Sequence, residues 1–261
     1  MASRRRYLAG FGGYVWGEML PWLGWRGLVR VLIWTGLVNG LLYLDVFTSW
    51  DIGWVTLESL DEAVDLVWLF AALGAIVVTV GPVVGEHRRG TAGWVVSKPV
   101  SRGSYIIGKV VAHGMGVAIS MVFIPGMVAY LWLRNAEHAR GFAPPLPPLG
   151  RYLTALGVIA LLCVFLVALV VMLGTMLKRR GPVTGIALVL LIFLFVPLAG
   201  FSWSKFQPGM LLDWQRPTGL TPLADYVFGS PLGPLEAVWV TVAAIGVFTS
   251  LAVIAFRRAE L

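Results

Sequence analysis

Residues 152–177 form an apolar run without a single charged side chain. A helix of that length reaches across a hydrocarbon core of about 30 Å, and a soluble fold has little use for it. Comparable runs lie at about 28–47, 65–85, 105–133, 182–201 and 235–256, so six spans are expected in one transmembrane domain over 1–261. With 58% hydrophobic and 13% charged residues, against roughly 25% charged in soluble domains, the fold class is an all-α polytopic membrane protein. A membrane β-barrel would alternate polar and apolar residues over segments of about 10, and no such pattern is present. Within the third run Pro125 is expected to kink the helix, and Pro182 suits the first turn of the fifth.

The net charge of +7 does not imply nucleic acid, because the basic residues collect at the ends of the spans. If the N-terminus is cytoplasmic, the inner segments hold Arg4, Arg5, Arg6, Arg26, Arg30, Arg88, Arg89, Lys98, Arg102, Lys109, Lys178, Arg179, Arg180, Arg257 and Arg258. The outer ones hold only Arg134, Arg140, Arg151, Lys205 and Arg216. This asymmetry predicts a multi-pass protein of the cell membrane with both termini cytoplasmic. No cleavable signal peptide is expected, since the first long apolar run begins only near Leu28. The lone Cys163 lies inside a span and has no partner in the chain for a disulfide. It reads as a small residue facing lipid or a neighbouring helix.

Three flanking segments carry further expectations. Residues 14–27 place Trp16, Met19, Trp22, Leu23 and Trp25 at steps suited to a helix in the membrane interface, bent at Pro21, or else to a longer start of the first span. The first outer loop gathers Asp45, Asp51, Glu58, Asp61, Glu62 and Asp65 without a basic residue, which reads as a solvated loop. The segment 202–234 is too apolar for a free loop and too broken by Pro208, Pro217, Pro222 and Pro231 for a span. Short re-entrant or interfacial helices packed on protein satisfy both constraints. The run Pro144, Pro145, Leu146, Pro147, Pro148 is expected to form a stiff outer connector.

The stretch 85–109 lies between the second and third spans and is basic and polar. After Glu86, Arg88 and Arg89 come Gly90 and Thr91, either of which can cap a short helix, then an apolar turn that includes Trp94. Ser97, Lys98, Pro99, Val100, Ser101 and Arg102 follow, and Pro99 stops the helix. Gly108 and Lys109 then lead into the third span. An apolar turn held just outside the membrane needs a surface to dock against, and a cytosolic protein supplies one.

This sequence of Glu, basic pair, Gly-Thr, apolar turn, Ser-basic-Pro-Val-Ser-Arg and Gly-Lys resembles the permease subunits of ABC-2 type ABC transporters. Ala92 and Gly93 stand where many members carry Leu-Glu. The resemblance implies a type V exporter-like fold of six transmembrane helices, with an N-terminal interfacial helix and a cytoplasmic coupling helix. It implies that Glu86, Arg88, Arg89, Gly90, Thr91, Trp94, Ser97, Pro99 and Arg102 couple the chain to a separate cytosolic ABC ATPase subunit. Mg-ATP is then bound on that partner, and this chain is not an enzyme and holds no cofactor. It further implies a second copy, or a homologous permease, facing this one across a substrate path near spans two and five.

Other patterns point less far. Residues 103–110 approach a phosphate-binding loop, Gly-x4-Gly-Lys-Ser/Thr, but Val110 replaces the hydroxyl that would hold Mg²⁺ and the segment opens a membrane span. Lys109 is expected instead to snorkel to the inner interface. His87, His113 and His138 fall on a cytoplasmic loop, in a span and on an outer loop, which excludes a shared metal site. Asn39 and His113 are polar groups within spans, candidates for helix–helix hydrogen bonding or for the substrate path. Phe193, Phe195 and Val196 of span five are further candidates for that path, although helical spacing cannot put all three on one face. The glycines of spans two, three and four suit close helix packing. A secondary transporter or channel would need a charged relay or internal repeat in the membrane, and an intramembrane enzyme a nucleophile with its base. Neither pattern is visible.

Overall fold

The computed structural model describes residues 10–48, 57–88, 101–140, 147–195, 206, 208–212, 222–232 and 235–258, and among these there is helix but no strand. The helices are α1 (Phe11–Leu23), α2 (Trp25–Thr48), α3 (Leu57–Arg88), α4 (Arg102–Val117), α5 (Ile124–Arg140), α6 (Leu149–Leu177), α7 (Arg180–Phe195), α8 (Pro222–Val227) and α9 (Leu235–Arg258). A π-helical segment, Ala118–Phe123, joins α4 to α5 in one continuous rod, and a 3-10 turn covers Pro208–Leu211.

Five stretches among the described residues are long and apolar enough to cross a membrane: Trp25–Leu44, Ser59–Glu86, Arg102–Asn135, Leu149–Leu177 and Leu235–Arg258. The fifth expected span corresponds to α7, of which Arg180–Phe195 are described. The expected residues 196–201 of that span lie outside the described residues, as do 141–146 of the proline-rich connector and 89–100.

The described helices begin earlier than the apolar runs. α3 starts at Leu57 rather than 65, so half of the expected acidic loop is helix. Its first turns carry Glu58, Asp61 and Glu62, which favour the positive end of the helix dipole. α9 shows the same arrangement at both ends, with Glu236 in its first turn and Arg257 and Arg258 in its last. α6 closes on Lys178 in the left-handed conformation (φ 53°), whose N–H reaches the Gly174 carbonyl and turns the chain into α7.

The break after α1 differs from expectation, whereas the third span is distorted at its proline as expected. Between α1 and α2 the break falls at Gly24, not at Pro21, which sits inside α1. The turn is tight because Gly27 lies against the Trp22 carbonyl, where a methyl group would overlap it. In the third span the distortion lies just before Pro125, where the Ile124 N–H bonds back to the Ile119 carbonyl, five residues earlier. Proline supplies no N–H and its ring crowds the carbonyl four residues back, so the preceding turn widens. Neighbouring helices cover this bend: Asn39 Nδ2 donates to the Pro125 carbonyl (3.2 Å), and the Tyr152 hydroxyl donates to that of Gly126 (2.8 Å).

α6 is the centre of the bundle, contacting α3, α4, α7 and α9 and burying residues all round, Tyr152, Leu156, Ile159, Cys163, Leu166 and Val170 among them. Cys163 therefore faces helices. In lipid there is little hydrophobic gain from helix association, so close packing carries the contact. Gly114 seats Val164, Gly126 seats Leu156, Gly174 seats Val83, and Gly74 seats Trp34 and Met121. Gly81 has nothing within 4 Å. From 202–234, Pro208–Leu211 and α8 are described, and α8 buries Pro222, Leu223, Ala224, Asp225 and Val227, as a short helix packed on protein should.

Gly116 lies directly under the Trp22 ring, so a methyl group there would overlap it. Gly116→Ala should destabilise the purified protein by about 1–3 kcal/mol through overpacking. Gly81→Ala should be neutral or stabilising by up to about 1 kcal/mol, the helix propensity difference. Thermal unfolding in one detergent checks both, and equal effects would mean that α1 is not seated on α4.

Candidate functional site

α4 places Tyr105, Lys109 and His113 at steps of four on one face, with Gly108 and Gly116 between and beyond them. α1 places Tyr14, Glu18 and Trp22 at the same steps. The two helices run side by side in the same direction: Tyr14 meets Gly108, Glu18 meets Lys109 and His113, and Trp22 meets Gly116. A Cβ on Gly108 would come within 2.6 Å of Tyr14 Cδ1, so glycine is what lets α1 approach. α1 is thus no free amphipathic helix: one face is on protein, while Trp16 and Leu20 on another are exposed.

The last turn of α3 supplies the third wall through Glu86. Lys109, fully buried, donates to Glu86 Oε1 at 2.7 Å and to Glu18 Oε1 at 3.1 Å. The Tyr105 hydroxyl donates to Glu86 Oε2 (2.6 Å), and the Tyr14 hydroxyl to Glu18 Oε1 (2.5 Å). His113 Nε2 stands 3.6 Å from Glu18 Oε2, and neither ring nitrogen has a hydrogen-bond partner among the described residues. The imidazole meets Trp22 edge-on, with ring centres 5.9 Å apart. α9 completes the junction: Phe256 stacks on Tyr105 at 4.9 Å, and Arg102 Nη1 donates to the Arg257 carbonyl.

The expectation that Lys109 snorkels is therefore corrected. Its ammonium is held inward because two carboxylates from two other helices converge on it, which compensates the loss of water. The same contacts act on Glu18. Burial alone would raise its carboxyl, but His113, Lys109 and the Tyr14 hydroxyl outweigh burial and hold it down to about 2. Tyr14 moves the other way, pushed well above its ordinary range by burial and by the Glu18 charge.

Of the residues that the sequence suggested for coupling, Glu86 lies in this junction and Arg102 opens α4 behind the Ser101 cap, whose hydroxyl accepts from the Ser104 N–H. Arg88 ends α3, and its side chain lies outside the described residues, as do Arg89, Gly90, Thr91, Trp94, Ser97 and Pro99 entirely. The path candidates do not come together. Asn39 donates to Thr35 and Pro125 carbonyls, His113 belongs to the junction, and Phe193 is exposed on α7. The side chain of Phe195 lies outside the described residues. An apolar cleft of about 380 Å³ does run between α3 and α7, lined by Trp68, Leu69, Ala72, Leu188, Leu191 and Ile192 with Leu73.

Sequence reasoning missed Tyr14, Tyr105 and the pairing of Glu18 with Lys109. The available signal was the matched spacing of four on two segments, each with one charged residue at its centre.

The Glu18 carboxyl should be visible in the pH dependence of stability. Its folded value, about 2, lies below the ordinary 4.5, so its contribution is complete above pH 4.5 and is lost as pH falls toward 2. Glu18→Gln should lower stability by about 1–3 kcal/mol at neutral pH and flatten the acid slope in that window. An unchanged acid limb in the variant would contradict the pairing.

In a search with protein-family models, the model described as ABC-2 family transporter protein matches residues 44–261. No curated protein matches the chain. The match covers all but the first 43 residues and includes every described helix from α3 onward. Together with five apolar spans it makes this a multi-pass membrane protein. The chain belongs to the ABC-2 transporter family and is an ABC transporter permease.

Proposed function

We propose that this chain is the membrane-spanning half of an ATP-driven exporter, moved by a separate cytosolic ATPase that docks on residues 89–101. Members of the family generally work with such an ATPase. The observation that carries the reading is the junction at the two ends of that segment. Glu86 at its entrance and Tyr105 and Lys109 just past its exit are joined by hydrogen bonds of 2.6–2.7 Å. A push on the segment is then passed to α1, α3, α4 and α9 together rather than absorbed by a loose loop. Mg-ATP is bound by the partner, and this chain performs no covalent chemistry.

In this reading α7 is the inner part of the fifth of six spans, both termini are cytoplasmic and α1 lies near the inner membrane surface. Two copies, or one copy with a homologous permease, enclose the path. The apolar cleft between α3 and α7 and the exposed Phe193 support a path on that side of the bundle, suited to an apolar or amphipathic substrate.

The full chain should copurify with an ATPase encoded beside it and stimulate its ATP hydrolysis. Trp94→Asp would put a charge on the apolar docking turn and should cut the stimulated rate about tenfold or more. Unchanged copurification and rate would mean that 89–101 is an ordinary loop. The chain alone should show no saturable Mg-ATP binding, and binding abolished by Lys109→Ala would move the nucleotide site onto this chain.

A further inference from the structure

We infer that Arg26 and Arg30, at the start of α2, bind the phosphodiester of an anionic phospholipid. The two residues are four apart, so their side chains are neighbours on one helix face. Two like charges placed side by side repel, and an anion between them turns that repulsion into attraction. Among the described residues neither arginine forms an ion pair, and Glu18, the carboxylate of the adjoining helix, is already engaged by Lys109 and Tyr14.

Depth places the pair at a headgroup boundary. The helix that carries them, α2, runs for 24 residues from Trp25 to Thr48, somewhat more than a hydrocarbon crossing needs. Its first turns therefore stand at one end of the crossing, from which arginine side chains reach the level of lipid phosphates. The rod formed by α4 and α5 has a candidate stretch of 34 residues, too long for the same crossing, and α1 packs beside its first half. That surplus length projects past the boundary that Arg26 and Arg30 mark.

The site is also pre-organised. The Arg30 guanidinium lies 4.8 Å above the Trp22 ring, which is itself buried against Gly116 and His113. A planar fork fixed on an aromatic face is ready for two parallel hydrogen bonds to phosphate oxygens. Arg26 is exposed and brings the second charge. Around the pair, Trp25 (74% exposed), Leu23 and Leu28 offer apolar surface to acyl chains. Tryptophan prefers that depth. This apolar surround selects a lipid over free phosphate, and the doubled positive charge selects an anionic headgroup over a zwitterionic one.

The test uses the purified full chain in detergent, titrated with phosphatidylglycerol or phosphatidylcholine of matched acyl chains and followed by native mass spectrometry. Phosphatidylglycerol should bind more tightly, and Arg26→Gln and Arg30→Gln should each weaken it about fivefold while phosphatidylcholine binding stays unchanged. Arg26→Gln alters an exposed side chain, so it carries the test even if Arg30→Gln, which removes the contact with Trp22, fails to fold. Equal affinity for the two lipids, or unchanged phosphatidylglycerol binding in the variants, would overturn the assignment. So would full displacement of the lipid by millimolar inorganic phosphate. Because none of these readings involves an ATPase, a negative result leaves the coupling proposal standing.

Discussion

A lysine ammonium with no contact to water must be met by fixed negative charge, because the desolvation cost is several kcal/mol when it is not. Lys109 satisfies this by recruiting Glu18 from α1 and Glu86 from α3. That single requirement sets the arrangement at the base of the bundle. α1 has to run beside α4 for Glu18 to arrive, and it can do so because Gly108 and Gly116 leave room for Tyr14 and Trp22. α3 has to end beside Tyr105 for Glu86 to arrive. Phe256 on the far side of Tyr105 draws in α9.

Higher in the bundle the constraint is different. Pro125 interrupts the backbone ladder at a depth where no water replaces the missing bond, and the chain answers with a π-helical turn and with donors from α2 and α6. α6 is apolar around its whole circumference and serves as the post on which the other helices pack. The third span is thus tied by charge at the end that starts with Arg102 and distorted by a π-helical turn ahead of Pro125.

Much of this was legible in the chain. Apolar run length gives the all-helical membrane class and five of the six expected spans among the described residues, because lipid leaves few alternatives to helix, and the motif around Gly90 and Thr91 gives the family. Boundaries were less legible: α3 reaches back to Leu57 because carboxylates favour a helix N-terminus, a local effect that hydropathy does not register. α7 is described over Arg180–Phe195, and 196–201 of its apolar run lie outside the described residues. The role of Lys109 was misread, since a lone lysine near the end of a span ordinarily reaches outward. Its partners lie 91 and 23 residues away in sequence, and only the packing of three helices brings them together. Asn39, a candidate for the substrate path, bonds through its Nδ2 to two carbonyls, one of them on the neighbouring third span.

The central claim is that Lys109 and Glu86 act as one unit joining the two ends of the 89–101 segment. A double-mutant cycle on thermal unfolding of the full chain, with Glu86→Gln, Lys109→Met and the pair combined, measures that directly. Residues in one ion-pair network couple by about 0.5–3 kcal/mol, so the double variant should be less destabilised than the sum of the singles by an amount in that range. Additive effects, within about 0.3 kcal/mol, would show that the two ends of the segment are not joined through this pair.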